Sequence, residues 1–172
     1  MGKNKIPQVE ASKSQKRIPV QNYENTKITF EFLYDKWLKS VDDKNFTTFL
    51  SDNRMYAKYI TYVFSTLIPT ISKELIIGKN ETEWKHCHAI KDGEALGRYN
   101  KAIEKIHGIN TSSLELWQFG ITGGVRLIGH LTGEHIVIPL LIDYHHLGYP
   151  SEKYNQADTK KYKFCPITAY VK

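Results

Sequence analysis

Cysteine is nearly absent from this chain: Cys87 and Cys165 are the only two, and they lie far apart. One disulfide is the most they allow, so a disulfide-stapled scaffold is excluded, and two buried, reduced thiols fit better. Long apolar runs are also missing. Nothing approaches the length of a membrane span, and no apolar segment of the secretory kind stands at the start. These two shortages lead us to expect a cytoplasmic, non-membrane protein. Low-complexity tracts and internal repeats are lacking too. A Gly-Lys-Ser/Thr phosphate loop is absent, which leaves Gly120, Gly123, Gly124 and Gly129 as turn and strand glycines.

What remains is a chain of 172 residues with 41% hydrophobic content, enough for one domain with a real core. Lys and Arg number 24 against 18 Asp and Glu, a net charge of +6. That surplus favours a polyanionic partner, through neutralisation of phosphates. Tyrosine is plentiful at 11, which serves either stacking or packing. Residues 1–25 hold Lys3, Lys5, Lys13, Lys16 and Arg17 with few large apolar side chains. They read as a flexible basic arm ahead of a single α+β domain over 26–172.

Within that domain, Ile28 to Leu38 suggests a short strand running into a helix. Val41 to Asn45 is a polar break. Apolar residues from Phe46 to Leu67 then recur at helical spacing, as one long helix or two meeting near Asp52, stopped around Pro69. Residues 95–107 form another helix candidate, with Gly108 in a C-cap position. The last third is rich in β-formers: Leu114–Ile121, Val125–Leu131, Glu134–Tyr144 and a short closing run, Ile167–Val171. The expected architecture is helices packed on one face of a small antiparallel sheet.

The hairpin face carries the chemistry. If Thr132 and Gly133 form the turn, Val125, Leu127, Leu131, Ile136, Ile138, Leu140 and Ile142 share the core face. Arg126, Ile128, His130, His135, Val137, Leu141 and Asp143 share the other. Pro139 cannot donate to a ladder, so a bulge there would shift the register and move Asp143. Directly after the strand stand Asp143, Tyr144, His145, His146 and Tyr149. Metal-free RNA cleavage needs a base for the 2′-hydroxyl proton, a cation for the phosphorane and an acid for the leaving oxygen. His145 or His146 suits base or acid, Arg126 the cation, and Asp143 the orientation of an imidazole. Tyr144 or Tyr149 could stack a base or relay a proton. His130, His135, His88, Lys160 and Lys161 are candidates for substrate contact. His86-Cys87-His88 lacks familiar zinc spacing. It is open to reading as a structural triplet, a source of His88 for the RNA site, or part of a metal site. We expect no metal or other cofactor.

The run Val125-Arg126-Leu127-Ile128-Gly129, followed by a strand ending Ile142-Asp143-Tyr144-His145, resembles the RelE/ParE-like toxin superfamily. The likeness is to its HigB-like mRNA endonuclease branch and spans roughly residues 114–150. It implies a RelE-like fold, functional roles for Arg126, Asp143, Tyr144 and His145, and cleavage of mRNA, free or on the ribosome. It also implies an acidic antitoxin as protein partner. A second likeness is to prokaryotic proteins with Arg-x-x-Gly on one strand and Asp-x-x-His-x-x-Tyr-Pro after the next. Here these are Arg126, Gly129, Asp143, His146, Tyr149 and Pro150, which points to His146 instead of His145. The alternatives are a non-catalytic module binding nucleic acid or protein on the same scaffold, and a ParE-like gyrase inhibitor.

Overall fold

The computed structural model describes residues 27–91, 93–133, 135–150 and 159–171. The arm expected at 1–25 lies outside them, as does Glu134. The elements in chain order are β1 (Thr29–Phe30), β2 (Asp42–Asp43), β3 (Phe46–Thr47), α1 (Asn53–Tyr62), α2 (Ile68–Glu74), β4 (His88–Ala89) and α3 (Gly93–His107). They are followed by β5 (Leu116–Phe119), β6 (Arg126–Thr132), β7 (Ile136–Asp143) and α4 (Pro166–Tyr170). The chain is α+β. Its main sheet has the order β1-β7-β6-β5-β4. Neighbours are antiparallel except β1, which lies parallel to β7, so the sheet is mixed at one edge. The polar break near Asp42 is the separate β2–β3 hairpin, with Lys44 in the left-handed region at φ 49°.

The helices cover both faces, where the sequence suggested one. On the first face Val63, Leu67, Ile71 and Leu75 pack with Phe119, Leu127, Leu131, Val137 and Ile142. On the second, Ala95, Tyr99, Ala102, Ile103 and Ile106 of α3 pack with Leu116, Ile128, Leu140 and Leu141. The two central strands are therefore buried on both sides, and near-continuous apolar runs such as Ile136–Ile142 are what such strands require. Removing a leucine or isoleucine side chain of this kind from water contributes about 1.5–3 kcal/mol.

The helical layer passes through Pro69. Asp52 caps α1 by accepting from the Met55 amide at 2.9 Å. The chain then widens into a π-helical stretch, Val63–Leu67, before α2, where Pro69 sits in the first turn. Proline has no N–H for the fourth residue back, and the preceding wide turn absorbs that mismatch, so the helix continues where a stop was expected. The closing run Ile167–Val171, expected as a strand, is instead part of the short helix α4. Pro166 starts that helix, with extended Cys165 before it. Gly108 ends α3 as expected, with φ 70° and its amide on the Glu104 carbonyl at 2.8 Å.

Two register changes in the β6–β7 hairpin compensate one another. Thr132 pairs with Ile136 and Leu131 with Val137, so the connection is one residue longer than a two-residue turn. That moves Val137 to the first core face, and Leu140 lies on the second, the reverse of the sequence reading for both. A bulge between Ile128 and Gly129 then restores the parity: Ile128 pairs with Leu141 and Arg126 with Asp143. Arg126 and Asp143 thus end up as direct cross-strand partners. At Gly129 a Cβ would meet Val137 Cγ1 at 2.8 Å and the Ile138 carbonyl oxygen at 2.9 Å, so the bulge needs glycine there.

The loop after β7 is pressed against α3, and a Cβ on Gly148 would overlap the Tyr99 ring. Gly148→Ala should therefore lower stability by about 1–3 kcal/mol. In a Tyr99→Leu background, where that ring is gone, the same change should cost much less. Urea unfolding of the double-mutant cycle measures this, and equal costs in both backgrounds would rule out the clash.

Candidate functional site

Asp143 is 0% exposed, and its carboxylate accepts four hydrogen bonds. Oδ1 takes the amides of His145 and Leu147, both at 3.1 Å. Oδ2 takes the Gly148 amide at 2.8 Å and the Tyr99 hydroxyl at 3.0 Å. The carboxylate was expected to orient an imidazole; instead it organises the backbone of the loop and ties it to α3. Tyr99 is held well above its ordinary value by burial and by this carboxylate, so its hydroxyl stays a donor.

Arg126 is also 0% exposed. One terminal nitrogen donates to the carbonyls of Gly123 at 2.8 Å and Val125 at 2.9 Å. The other lies 3.2 Å from His86 Nδ1. Guanidinium only donates, so His86 Nδ1 accepts, and the His86 ring is neutral with its proton on Nε2. Burial, and next the charge of Arg126, push the His86 imidazole below its ordinary value. Among the described residues Arg126 Nε has no hydrogen-bond partner. The stem of Arg126 packs so closely on Gly120 that a Cβ there would lie 2.8 Å from its Cδ.

The paired imidazoles of the loop part company. His145 points inward: it is 3% exposed, its Nε2 bonds the Phe49 carbonyl at 2.8 Å, and Tyr162 packs on its ring. Burial lowers its proton affinity, and its Nε2 is taken up by the Phe49 carbonyl. Tyr144 is equally enclosed, stacked on Tyr59 at 5.5 Å, and burial drives its hydroxyl far above the usual tyrosine range. His146 adopts φ 60°, half-buried, and packs beside Gly124. Burial and then the charge of Arg126 hold it, too, below its ordinary value. His86 bonds Arg126, and His146 packs beside Gly124, next to the Gly123 carbonyl that Arg126 holds, so these groups share one end of the sheet.

The remaining candidates scatter. His88 is on β4, its ring 6.0 Å from that of Tyr149, close to this cluster. His130 lies four residues along β6 from Arg126, roughly 13 Å away at strand spacing, with Nδ1 against the Glu115 amide at 3.1 Å. His135 is farther still, at the turn, where its carbonyl accepts from the Thr29 amide. Lys160 and Lys161 occupy an exposed 3-10 turn next to Tyr162, on the side of His145. The group the fold assembles is therefore Arg126, His86 and His146, with His88 and Tyr149 at its edge. His86 had been set aside in the sequence as part of a triplet. It stands in a turn before β4, and nothing in the sequence singled it out from that triplet. Cys87, between them, donates to the Gly120 carbonyl at 3.2 Å, and burial pushes its thiol up to about 11, so it is an inert core residue. Among the described residues no group of three or more His, Cys, Asp or Glu is placed to hold a metal ion. No helix among them is long and apolar enough to cross a membrane.

These features define a small α+β protein with a buried cross-strand Arg–Asp pair and two imidazoles at one end of its sheet. The chain belongs to the UU032 family, whose profile, described as "Uncharacterised protein UU032", matches residues 33–172. It is 38% identical over 153 residues to the uncharacterized protein UU032 of Ureaplasma parvum serovar 3 (strain ATCC 700970), spanning 87% of this chain and 85% of that one. No solved structure matches it. The family match includes every site residue named above.

Buried neutral histidines make stability depend on pH in one direction. An unfolded chain binds protons near 6.5, whereas folded His145, His146 and His86 resist protonation. Their contribution is complete above 6.5 and is lost as pH falls below it. Denaturant midpoints measured across that window should drop with acid. His145→Gln should make the drop shallower; an unchanged slope would remove His145 from the account.

Proposed function

We propose that the protein is a metal-free RNA endonuclease of the RelE/HigB-like toxin kind, with His146 and His86 as its reacting pair in place of His145. The observation that supports this reading is the Arg126-to-His86 hydrogen bond at 3.2 Å, with His146 against Gly124 in the loop that Arg126 also holds. It leaves one imidazole presenting Nε2–H to a phosphoryl oxygen and the other neutral at physiological pH. In this reading His146 takes the 2′-hydroxyl proton, and the 2′-oxygen attacks the adjacent phosphorus. A 2′,3′-cyclic phosphate forms, the bond from phosphorus to the 5′-oxygen breaks, and that oxygen leaves with a proton from solvent. His86 stabilises the charge on the phosphorane through its Nε2 proton. Arg126 is a positioning residue: it fixes the tautomer of His86 and does not itself meet the substrate. Asp143 positions His146 through the loop backbone. An acidic antitoxin would neutralise this end of the sheet.

Purified protein with chelator and a short single-stranded RNA tests the reading. Cleavage should leave 2′,3′-cyclic ends, fall roughly 10²–10⁴-fold in His146→Ala and fall substantially in His86→Ala, and persist in His130→Ala. In cells, induction should arrest growth and truncate transcripts. Intact RNA throughout, with folded protein, would defeat the nuclease assignment. Binding without cleavage would leave a nucleic-acid-binding module, and DNA damage with intact transcripts would indicate gyrase.

A further inference from the structure

Two clefts open beside the His86 cluster, and both are walled by the same two residues, Trp84 and Lys85. The first, of about 480 Å³, runs from them past His86 to Gly120 and Ile121. The second, of about 590 Å³, runs from them past His88 and Lys91 to Trp117, with Ile77 on its floor. Trp84 is half-buried, against the first core, and Lys85 and Lys91 are exposed. The indole of Trp117 is fixed by its Nε1–H bond to Glu115 at 2.9 Å. Each cleft falls within the range of roughly 300–1,000 Å³ usual for small-ligand pockets.

We propose that Trp84 is a stacking platform for single-stranded RNA, with one nucleotide lodged in each cleft and the linking phosphate held between Lys85 and His86. Aromatic faces interleaved with basic side chains are what binding of an unpaired strand requires, since every base has a π-face and every linkage a charge. Trp84-Lys85-His86 supplies both in three consecutive residues. Glu74 and Glu83 also line the first cleft and repel phosphate, so Lys85 and His86 are the groups there that can hold the linkage. A duplex does not fit this arrangement, because its bases are already stacked and paired. The inference rests on the RNA-directed reading of the site but needs no cleavage.

The test uses full-length protein and a fluorescent 2′-O-methyl RNA strand, which cannot be cut by attack of its own 2′-oxygen. Anisotropy at low salt should show the single strand binding more tightly than the same sequence in a duplex. Trp84→Ala should weaken binding about tenfold, the size expected for one lost stacking partner, and Trp84→Phe should retain most of it. Lys85→Glu with Lys91→Glu should weaken it and flatten the salt dependence. Wild-type affinity in folded Trp84→Ala, or equal affinity for the duplex, would overturn the platform. Unmodified RNA left intact despite Trp84-dependent binding would sink the nuclease reading and leave the platform standing. RNA cut equally well by wild type and Trp84→Ala would do the reverse.

Discussion

A single buried carboxylate decides what the end of the sheet looks like. Asp143 would be costly to bury alone, and it is matched by three backbone amides and one phenol hydroxyl. Because the amides belong to residues 145, 147 and 148, satisfying the carboxylate forces the chain to curl back around it. That curl turns His145 into the core and swings His146 to the side of Arg126. It also brings Gly148 against Tyr99, where no Cβ fits. The hydrogen bonds, the left-handed φ of His146 and the glycine are three consequences of one constraint.

Arg126 acts on the opposite strand in a complementary way. Its donors bind the carbonyls of Gly123 and Val125 and the ring of His86, and so gather the loop before β6 and the segment before β4. The two buried charges thereby collect three chain segments at one end of the sheet. The cross-strand pairing of Arg126 with Asp143 is what makes the two gatherings meet.

Much of this was legible in the sequence. The three long strands, α3 with its Gly108 cap, and the common face of Arg126 and Asp143 all follow from alternation, helical spacing and turn chemistry. The last of these came through a double departure: a longer turn and a bulge, each of which flips the face, cancel at Arg126. Between them, at Val137 and Leu140, the reading inverted, because period-two arguments carry no memory of a bulge. The fate of the two adjacent imidazoles was not readable either. It depends on backbone donors converging on Asp143, and sequence does not display amides. Pro69 misled for a related reason: a π-helical turn has no composition signature. The second helical face was hidden because a strand buried on both sides and one buried on a single side differ only in a few positions, here Ile128, Leu140 and Leu141.

The distribution of unsatisfied polar atoms adds a further step. Most of the sheet is dry, with aliphatic side chains on both faces. On the face that carries Arg126, however, Arg126 Nε and Gln118 Oε1 are buried without a hydrogen-bond partner among the described residues. Gln118 is 3% exposed, and its amide reaches only the His86 carbonyl, at 3.5 Å. An orphaned buried donor or acceptor costs about 1–3 kcal/mol. An apolar residue at position 118 would avoid that cost and continue the packing of Leu116 and Ile128. A charged and an amide side chain there are both connected to His86, whereas the orphaned atoms against the first core, Tyr62 Oη and Tyr144 Oη, are hydroxyls of single tyrosines. Departures of this kind concentrate where a protein does something other than fold. The same reasoning separates His86 from His130, which is more easily noticed on its strand but is joined to no such group.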